Sequence, residues 1–239
     1  IFSLGSTGTT AQYNSGIEIS NNEIFDFWSD AAQSDGIYLG AGTTDWTISN
    51  NRFFQTGTRT QTTGALHSAI DVASTTGNDN HLLTGNIIGY ASSAGTGTYD
   101  FVGAATGSKF LPIRFANAGT TTPSSIQGNT ITAISLSGVV GGTGTTAAFA
   151  GIVVSSGNVA IGNLTGNTIG SASTAGAITV ASNNSSPMEV YGIYYFPSLA
   201  ANISKNTIAG ITASNSGAGS LGVYGIRAQT GAVVNTLQN

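Results

Sequence analysis

Apolar and polar positions along this chain follow one pattern that occurs six times. Each copy has an aliphatic residue, two spacer residues, an asparagine, one spacer and an apolar residue. The copies read ISNNEI, ISNNRF, LTGNII, IQGNTI, LTGNTI and ISKNTI, with the shared asparagines at Asn22, Asn51, Asn86, Asn129, Asn167 and Asn206. The intervals between these asparagines are 29, 35, 43, 38 and 39 residues. A unit that recurs while its length drifts indicates a repeat architecture with one variable loop segment per repeat.

A second motif recurs in step with the first. It usually has a small residue, then an isoleucine, a variable residue and an apolar residue, and its isoleucines are Ile37, Ile70, Ile113, Ile152, Ile193 and Ile226. From each of the first five isoleucines to the next shared asparagine there are 13 to 16 residues, whereas the way from an asparagine to the next isoleucine takes 15 to 27. The alternation of apolar and variable positions predicts two short strands per repeat, with insertions confined to the return segment.

Strands of successive repeats are expected to pair in parallel about 4.8 Å apart, which places equivalent residues in columns. The first and last positions of the asparagine motif are predicted to stack in the interior. The first column is Ile19, Ile48, Leu83, Ile126, Leu164 and Ile203, and the last is Ile24, Phe53, Ile88, Ile131, Ile169 and Ile208. Residues before the asparagines are mostly types that tolerate positive φ, which predicts a bend there. The asparagines should form a hydrogen-bonded ladder inside this bend.

Two outward columns carry opposite charges on adjacent repeats. Glu23 is followed by Arg52 in one column, and Asp71 by Arg114 in the other. We expect both pairs to be exposed ladder pairs, each worth about 0.2–1 kcal/mol.

The outward column of the isoleucine strands is the first candidate for a binding face. It runs Tyr38, Asp71, Arg114, Val153, Tyr194 and Arg227, and Tyr191 and Tyr224 occupy equivalent places one repeat apart, where they are expected to stack. Exposed aromatic side chains beside a few polar groups are typical of sugar-binding surfaces. This face is therefore predicted to contact a glycan or a protein, although an ordinary sheet face is the competing interpretation.

Composition narrows the class of protein. The chain has 34 glycines, 7% charged residues and no cysteine, which predicts an all-β structure with little helix and without disulfides or thiolate metal sites. Six lysine and arginine residues are too few for a basic face, so we expect no nucleic-acid partner. No apolar run approaches the roughly 18 residues of a membrane span, and we expect no membrane insertion by this segment.

Candidate catalytic or metal-binding residues lie mainly in the first hundred positions. Nine of the ten acidic residues occur there, and no charged residue lies between Phe115 and Met188. Asp26, Asp30 and Asp35 form the one acidic cluster, for which a calcium site and a solvated loop are the two interpretations. Asn78, Asp79, Asn80 and His81 offer a second oxygen-rich turn with the same alternatives. The two histidines and the absence of a GxSxG-type serine give no support to a hydrolytic triad.

The tandem GI-x-[LVI] and [IL]-x-x-N-x-I units resemble the repeats of right-handed parallel β-helices of the pectate-lyase-like type. Their low-charge, G-N-T-I-rich style also resembles very large secreted surface proteins of Bacteroidota-type bacteria. The resemblance implies a single β-helix over residues 1–239 with about seven coils. It also implies a secreted or cell-surface location in a bacterium, which the scarcity of charge suits. The GHG and RIK motifs of polygalacturonase-like enzymes are missing, which disfavours glycosidase activity.

These observations predict a structural or display segment of a fibre or adhesin, without a required cofactor and with a glycan- or surface-binding face. IFSL and NTLQN read as incomplete motifs, so we expect an uncapped segment of a longer array whose partners are neighbouring repeats. One alternative is a polysaccharide-active β-helix enzyme, a lyase or a hydrolase, whose active centre includes the acidic first third, with or without calcium. A phage-type tail fibre is the other alternative.

Overall fold

The computed structural model describes residues 1–73, 76–77, 79–116, 119–197, 200–229 and 233–238. The strands in chain order are β1 Phe2–Ser3, β2 Asn14–Ser15, β3 Glu18–Ser20, β4 Glu23–Phe25, β5 Ser34–Leu39, β6 Thr43–Thr44, β7 Thr47–Ser49, β8 Arg52–Phe54, β9 Arg59–Gln61, β10 Leu66–Val72, β11 Leu82–Thr84, β12 Ile87–Ile88, β13 Tyr99–Phe110, β14 Ile113–Phe115, β15 Ser124–Gln127, β16 Thr130–Ile131, β17 Ile134–Val140, β18 Phe149–Val154, β19 Val159–Ile161, β20 Thr168–Gly170, β21 Ile178–Ser182, β22 Met188–Tyr195, β23 Ala200–Ser204, β24 Thr207–Ala209, β25 Ile211–Asn215, β26 Leu221–Ala228 and β27 Val233–Gln238. Two short 3-10 helices, Thr10–Gln12 and Gly144–Thr146, are the only helices in these ranges.

Strands of successive repeats pair in parallel and form four rows. The isoleucine strands β1, β5, β10, β14, β18, β22 and β26 pair in that order. The strands before the asparagine are β3, β7, β11, β15, β19, β23 and β27, and those after it are β4, β8, β12, β16, β20 and β24. The fourth row, which we call the lateral strands, contains β9, β13, β17, β21 and β25. The two other strands, β2 and β6, pair with each other. This arrangement is compatible with a β-solenoid.

One continuous apolar core lies between the rows. The six motif isoleucines pair in register as predicted, and those of β5, β10, β14, β18 and β22 are completely buried. Because side chains alternate across a strand, the residues that follow these isoleucines point away from this core. The register of the outward column is therefore fixed by the packing of the inward one.

The predicted asparagine ladder is confirmed. The Nδ2 atom of each shared asparagine from Asn22 to Asn167 donates to Oδ1 of the next one, at 2.9–3.0 Å. The same Oδ1 atoms accept from the backbone N–H of the preceding asparagine at 3.0–3.1 Å. The second Nδ2 hydrogen of Asn129 is donated to the Leu83 carbonyl at 2.9 Å. Each interior amide thereby has all four hydrogen bonds that an asparagine amide is able to make.

The predicted interior column needs one correction. Ile161, not Leu164, pairs with Ile126 and with Ile203, and Leu164 is 72% exposed. Three extra residues therefore precede the asparagine in this repeat. The left-handed bend shifts with them, because Gly162 has φ 75° while Gly166 is absent from the positive-φ positions. At the other bends the prediction holds, as for Asn50 and Lys205, with φ of 54° and 61°.

The prediction of two motif strands per repeat was incomplete. The asparagine motif itself contains two strands, separated by the bend, and the lateral strands occupy the return segment that was expected to be a loop. In β17 the sequence ISLSGVV alternates, and Ile134, Leu136 and Val140 are buried. This alternation is the signal for a strand, but a period-2 pattern in a segment of changing length shows no conserved spacing from repeat to repeat.

Candidate functional site

The outward column of the isoleucine strands has the predicted register but is covered along much of its length. Asp71 and Val153 are completely buried, and Tyr194 is 3% exposed. The side chains of Arg114 and Arg227 are 25% and 35% exposed, respectively. The expectation of an open face is therefore wrong for the middle of this column.

Residues 141–148 cover Val153 and Tyr194 of this column, and we call them the covering segment. They include the short helix Gly144–Thr146 and are tied to β22, because the Glu189 N–H donates to the Gly142 carbonyl at 2.9 Å and Ala148 N–H to the Glu189 carbonyl at 3.2 Å. Beneath them lies a second apolar cluster on the outside of the main core, formed by Leu111, Ala147, Ala150, Val153, Tyr191 and Tyr194. Burial of these side chains stabilises the covering segment through the hydrophobic effect.

A carboxyl cluster lies on the earlier isoleucine strands β5, β10 and β14. Arg114 Nη1 donates to both carboxylate oxygens of Asp71, at 3.0 and 2.8 Å. Gln33 Nε2 donates to Oδ2 of Asp71 at 3.0 Å and to Oδ2 of Asp35 at 2.9 Å, and the Ser68 hydroxyl donates to Asp35. The predicted ion pair between Asp71 and Arg114 therefore exists, but it is not the exposed pair that was expected.

Burial raises the pKa values of both carboxyl groups in this cluster. Loss of solvent around the Asp71 carboxyl raises its pKa to about 6, and the facing Arg114 guanidinium only partly offsets this effect. Burial also raises the pKa of Asp35 above its ordinary value. The cluster therefore brings together two carboxyl groups that favour the protonated form more than exposed aspartates do.

Above the covering segment lies the group of side chains that we call the aromatic patch: Glu189, Tyr191, Tyr194, Phe196, Tyr224 and Arg227. The rings of Tyr191 and Tyr224 stack with their centroids 5.3 Å apart, which confirms the predicted stacking. The Arg227 guanidinium lies 5.2 Å from the Tyr224 ring centroid and 5.9 Å from those of Tyr191 and Tyr194. This geometry is that of a cation–π contact.

Glu189 holds the aromatic patch and the covering segment together. Its carboxylate accepts from Arg227 Nη1 at 2.7 Å, from Gly144 N–H at 2.7 Å and from the Tyr191 hydroxyl. Burial by itself would raise the pKa of Glu189, but these hydrogen bonds together hold it below the ordinary value. The sequence did not mark Glu189 as a site residue, because it precedes the isoleucine motif and has no counterpart in the other repeats.

The open part of the aromatic patch is formed by Tyr224, Phe196 and Arg227. Tyr224 and Phe196 are 39% and 45% exposed. Arg227 bonds to the described residues through Nη1 alone, so Nε and Nη2 keep their donors for a ligand. An exposed ring beside free donors is able to stack on one face of a sugar and bond to its hydroxyls.

The predicted acidic cluster is not assembled. Asp26 forms an ion pair with Arg59 at 3.1 Å and accepts hydrogen bonds from Thr56. Asp35 belongs to the carboxyl cluster, and Asp30 is linked to Thr62 through its backbone carbonyl. Within the described ranges, no group of three His, Cys, Asp or Glu side chains is placed to hold a metal ion.

The second oxygen-rich turn is also divided among protein contacts. Asn78 lies outside the described residues. Asp79 Oδ1 accepts from Thr121 N–H at 3.0 Å, and Asn80 Nδ2 donates to Asp45 at 2.6 Å. His81 is buried, and desolvation lowers its pKa to about 4. Asp79 and Asn80 therefore form hydrogen bonds to neighbouring loops.

His67 lies completely buried among aromatic rings. Its Nδ1 is 2.7 Å from the Ser34 hydroxyl and its Nε2 is 2.5 Å from the Tyr99 hydroxyl. Burial lowers the pKa of His67 to about 3, so the imidazole is neutral at pH 7. Since Ser34 is only 8% exposed, the three hydrogen-bonded side chains of Ser34, His67 and Tyr99 are part of the core. Sequence reasoning missed it because its members belong to different repeats.

Comparison with protein-family models, curated proteins and solved structures finds no match to this chain. Among the described residues, no helix is long and apolar enough to cross a membrane. The geometry above defines the class of the molecule as an all-β repeat chain with parallel sheets and a buried asparagine ladder.

Proposed function

We propose that this chain is a structural and display segment of a secreted or cell-surface fibre or adhesin, of bacterial origin. The observation that carries the proposal is the continuity of the asparagine ladder, whose five amide links join six repeats. A column of fully bonded buried amides between parallel strands resists bending and sliding of one repeat past the next. Such a rod is suited to hold variable outer segments away from a surface.

The proposal includes a right-handed parallel β-helix of about seven coils within a longer array. Parallel strands joined by a crossover in the same sheet are right-handed in about 98% of cases, which supports this hand. The seven isoleucine strands support the number of coils. Stacked repeats contact mainly their neighbours, so an array is extendable by adding further repeats.

Deletion of one repeat tests the rod. Removal of residues 130–167 joins Asn129 to Thr168 and removes no charged residue. We expect a soluble, cooperatively folding chain that is shorter by about 4.8 Å along the stacking direction, measurable by small-angle X-ray scattering. The matched control removes only residues 130–148, which breaks the order of strands and should abolish folding. Loss of soluble product from the full-repeat deletion would contradict the proposal.

The aromatic patch is the proposed contact with a glycan. Its support is the exposed Tyr224 ring beside the free donors of Arg227. Tyr224→Ala should weaken retention on a glycan array at least tenfold with an unchanged melting temperature. Phe25→Ala is the control, because Phe25 is also exposed and stacks on Phe54 at 4.7 Å but has no arginine over its ring. Equal retention of the wild-type chain and Tyr224→Ala would remove the glycan from the proposal.

A polysaccharide-active enzyme is the second candidate. The carboxyl cluster favours it, because Gln33 joins two carboxyl groups whose pKa values are raised, and Asp35 lines a depression of about 290 Å³ together with Tyr38. Protonated carboxyls of this kind act as general acids in glycoside hydrolysis. New reducing ends or unsaturated products from a polysaccharide panel, lost in Asp35→Asn, would favour the enzyme. Trials with and without a chelator would show whether calcium takes part.

A further inference from the structure

The outward face of three lateral strands has a composition that recurs from strand to strand. On β17, β21 and β25 the inward residues are apolar, whereas the outward residues are small and mostly hydroxylated. We call the outward set the hydroxyl face; it consists of Ser135, Ser137, Thr179, Ala181, Thr212 and Ser214. The pairings place Thr179 between Ser135 and Thr212, and Ala181 between Ser137 and Ser214.

The hydroxyls of this face are free to bind a ligand. None of the five Ser and Thr side chains forms a hydrogen bond with another described residue, and Thr212 and Ser214 are exposed. Neighbouring strands lie about 4.8 Å apart, and outward positions on one strand are about 6.7 Å apart. The face is therefore a two-row grid of unpaired donors and acceptors on a rigid sheet.

A depression lies at each end of these strands. One, of about 400 Å³, is lined by Thr98, Asp100, Ser135, Thr174 and Thr179 among others. The other, of about 320 Å³, is lined by Ala181, Asn183, Ser214 and Ser216 among others. Asn183 is exposed, and its side-chain amide forms no hydrogen bond within the described part of the chain. The grid thus adjoins two shallow depressions that hydroxyl and amide side chains partly line.

Charge restricts the kind of ligand. The hydroxyl face has no charged residue, and Asp100, which pairs in register with Ser135, is the one ionisable side chain that lines either depression. An anionic chain would meet the Asp100 carboxylate without any cation to balance it. The surface therefore complements an uncharged ligand that carries many hydroxyl groups.

We propose that the hydroxyl face binds an extended, uncharged polysaccharide that lies across the lateral strands. The strand spacing is close to the advance of one sugar residue along an extended polysaccharide, so successive sugars meet equivalent side chains on β17, β21 and β25. Each hydrogen bond adds little by itself, but the grid repeats it on every strand. This site lies on a different row of strands from the aromatic patch and goes beyond the display function.

Titration calorimetry of the full chain with cellohexaose, xylohexaose and mannohexaose tests the proposal. We expect binding of at least one of these probes, and a loss of at least tenfold in affinity for Thr212→Glu. The matched control is Thr207→Glu, because Thr207 is an exposed threonine at the neighbouring strand β24, which belongs to the row after the asparagine. Its affinity should equal that of the wild-type chain.

A milder variant separates hydrogen bonding from steric blocking. Thr179→Val with Thr212→Val keeps side-chain shape and strand propensity but removes two hydroxyls, and should weaken binding about tenfold with an unchanged melting temperature. Tyr224→Ala should leave this affinity unchanged, so failure of the glycan contact at the aromatic patch and failure of this inference are distinguishable.

Three results would overturn the inference. The first is absence of binding to all three probes by the folded chain. The second is an equal loss of affinity in Thr212→Glu and Thr207→Glu. The third is thermal hysteresis of the wild-type chain that disappears in Thr212→Glu without any binding of the oligosaccharides, because the grid would then recognise ice.

Discussion

Two polar columns run through this molecule, one inside the asparagine bend and one on the outer side of the isoleucine strands. Both have the register that neighbouring apolar columns impose. Inside, the same amide occurs in all six repeats, and its bonds to the next repeat vary by only 0.1 Å. On the outer side, the residue type changes from repeat to repeat among tyrosine, aspartate, arginine and valine. An amide that is buried without water needs complete hydrogen bonding, and the asparagine side chain provides it in the interior repeats. Outer positions are partly in contact with water, so different side chains are tolerated there.

Two arginine–carboxylate ion pairs along the outer column lie in different environments. Asp71 is completely buried and its pKa is raised to about 6, although Arg114 bonds to both of its oxygens. Glu189 is partly accessible and accepts from three donors, so its pKa is lowered. The difference shows that an ion pair on one column is stabilised or penalised according to the water around it.

The largest expected effect comes from breaking the inner column. In Asn129→Asp the carboxylate still accepts from Asn86, but it no longer donates to Leu83 or to Asn167. A buried charge and the loss of two donated hydrogen bonds should cost about 4 kcal/mol or more in the free energy of unfolding. Urea unfolding followed by circular dichroism measures this loss.

Asn183→Asp is the control for that substitution. The Asn183 side chain is exposed and outside the ladder, so a change below about 0.5 kcal/mol is expected. Similar stability of the two variants would show that the ladder does not hold the repeats together.

The second effect tests the corrected inner register. Ile161→Ala removes a completely buried side chain between Ile126 and Ile203 and should cost about 2–5 kcal/mol. Leu164→Ala removes a 72% exposed side chain and should change stability by less than about 0.5 kcal/mol. A larger loss of stability in Leu164→Ala than in Ile161→Ala would support the motif alignment that places Leu164 in the core.

The same pair shows where prediction from sequence succeeds and fails. The ladder and the isoleucine column were predictable because each repeats one residue type at a nearly constant spacing. Leu164 misled because LTGNTI matches the motif perfectly, while the pairing residue lies three positions earlier. Burial of Tyr194 depends on a segment some fifty residues away that has no motif, and the carboxyl cluster depends on Gln33 from another repeat. Contacts between unlike repeats have no periodic signal.

The third effect concerns the covered half of the outer column and depends on pH. Arg114→Met keeps the length of the side chain but leaves Asp71 buried without its cation, and should cost about 3 kcal/mol at pH 8. Since the folded pKa of Asp71 is raised above the unfolded value, protonation stabilises the folded state as pH falls through about 6. The cost of the substitution should therefore be smaller at pH 5.

Unfolding of wild type and variant at both pH values gives this difference, and the two buried histidines contribute equally to both chains. Arg52→Met is the control. Arg52 pairs in register with Glu23, but their side chains form none of the three ion pairs found in the described ranges. A cost of Arg114→Met that grew toward pH 5 would contradict the assignment of Asp71 as the group left unpaired.

The smallest effect concerns the open half of the outer column. Glu189→Gln keeps an oxygen that accepts from Gly144 N–H and removes the charge facing Arg227. The Arg227 side chain is 35% exposed, so solvent screens the pair and we expect a loss of about 0.5–1 kcal/mol. This loss should disappear in 1 M salt, where the screening length is about 3 Å. Glu18→Gln, at an exposed position without an ion pair in the described ranges, is the control. A loss above 2 kcal/mol that persisted in salt would mean that hydrogen bonds lost in the substitution, and not the charge of Glu189, keep the covering segment in place.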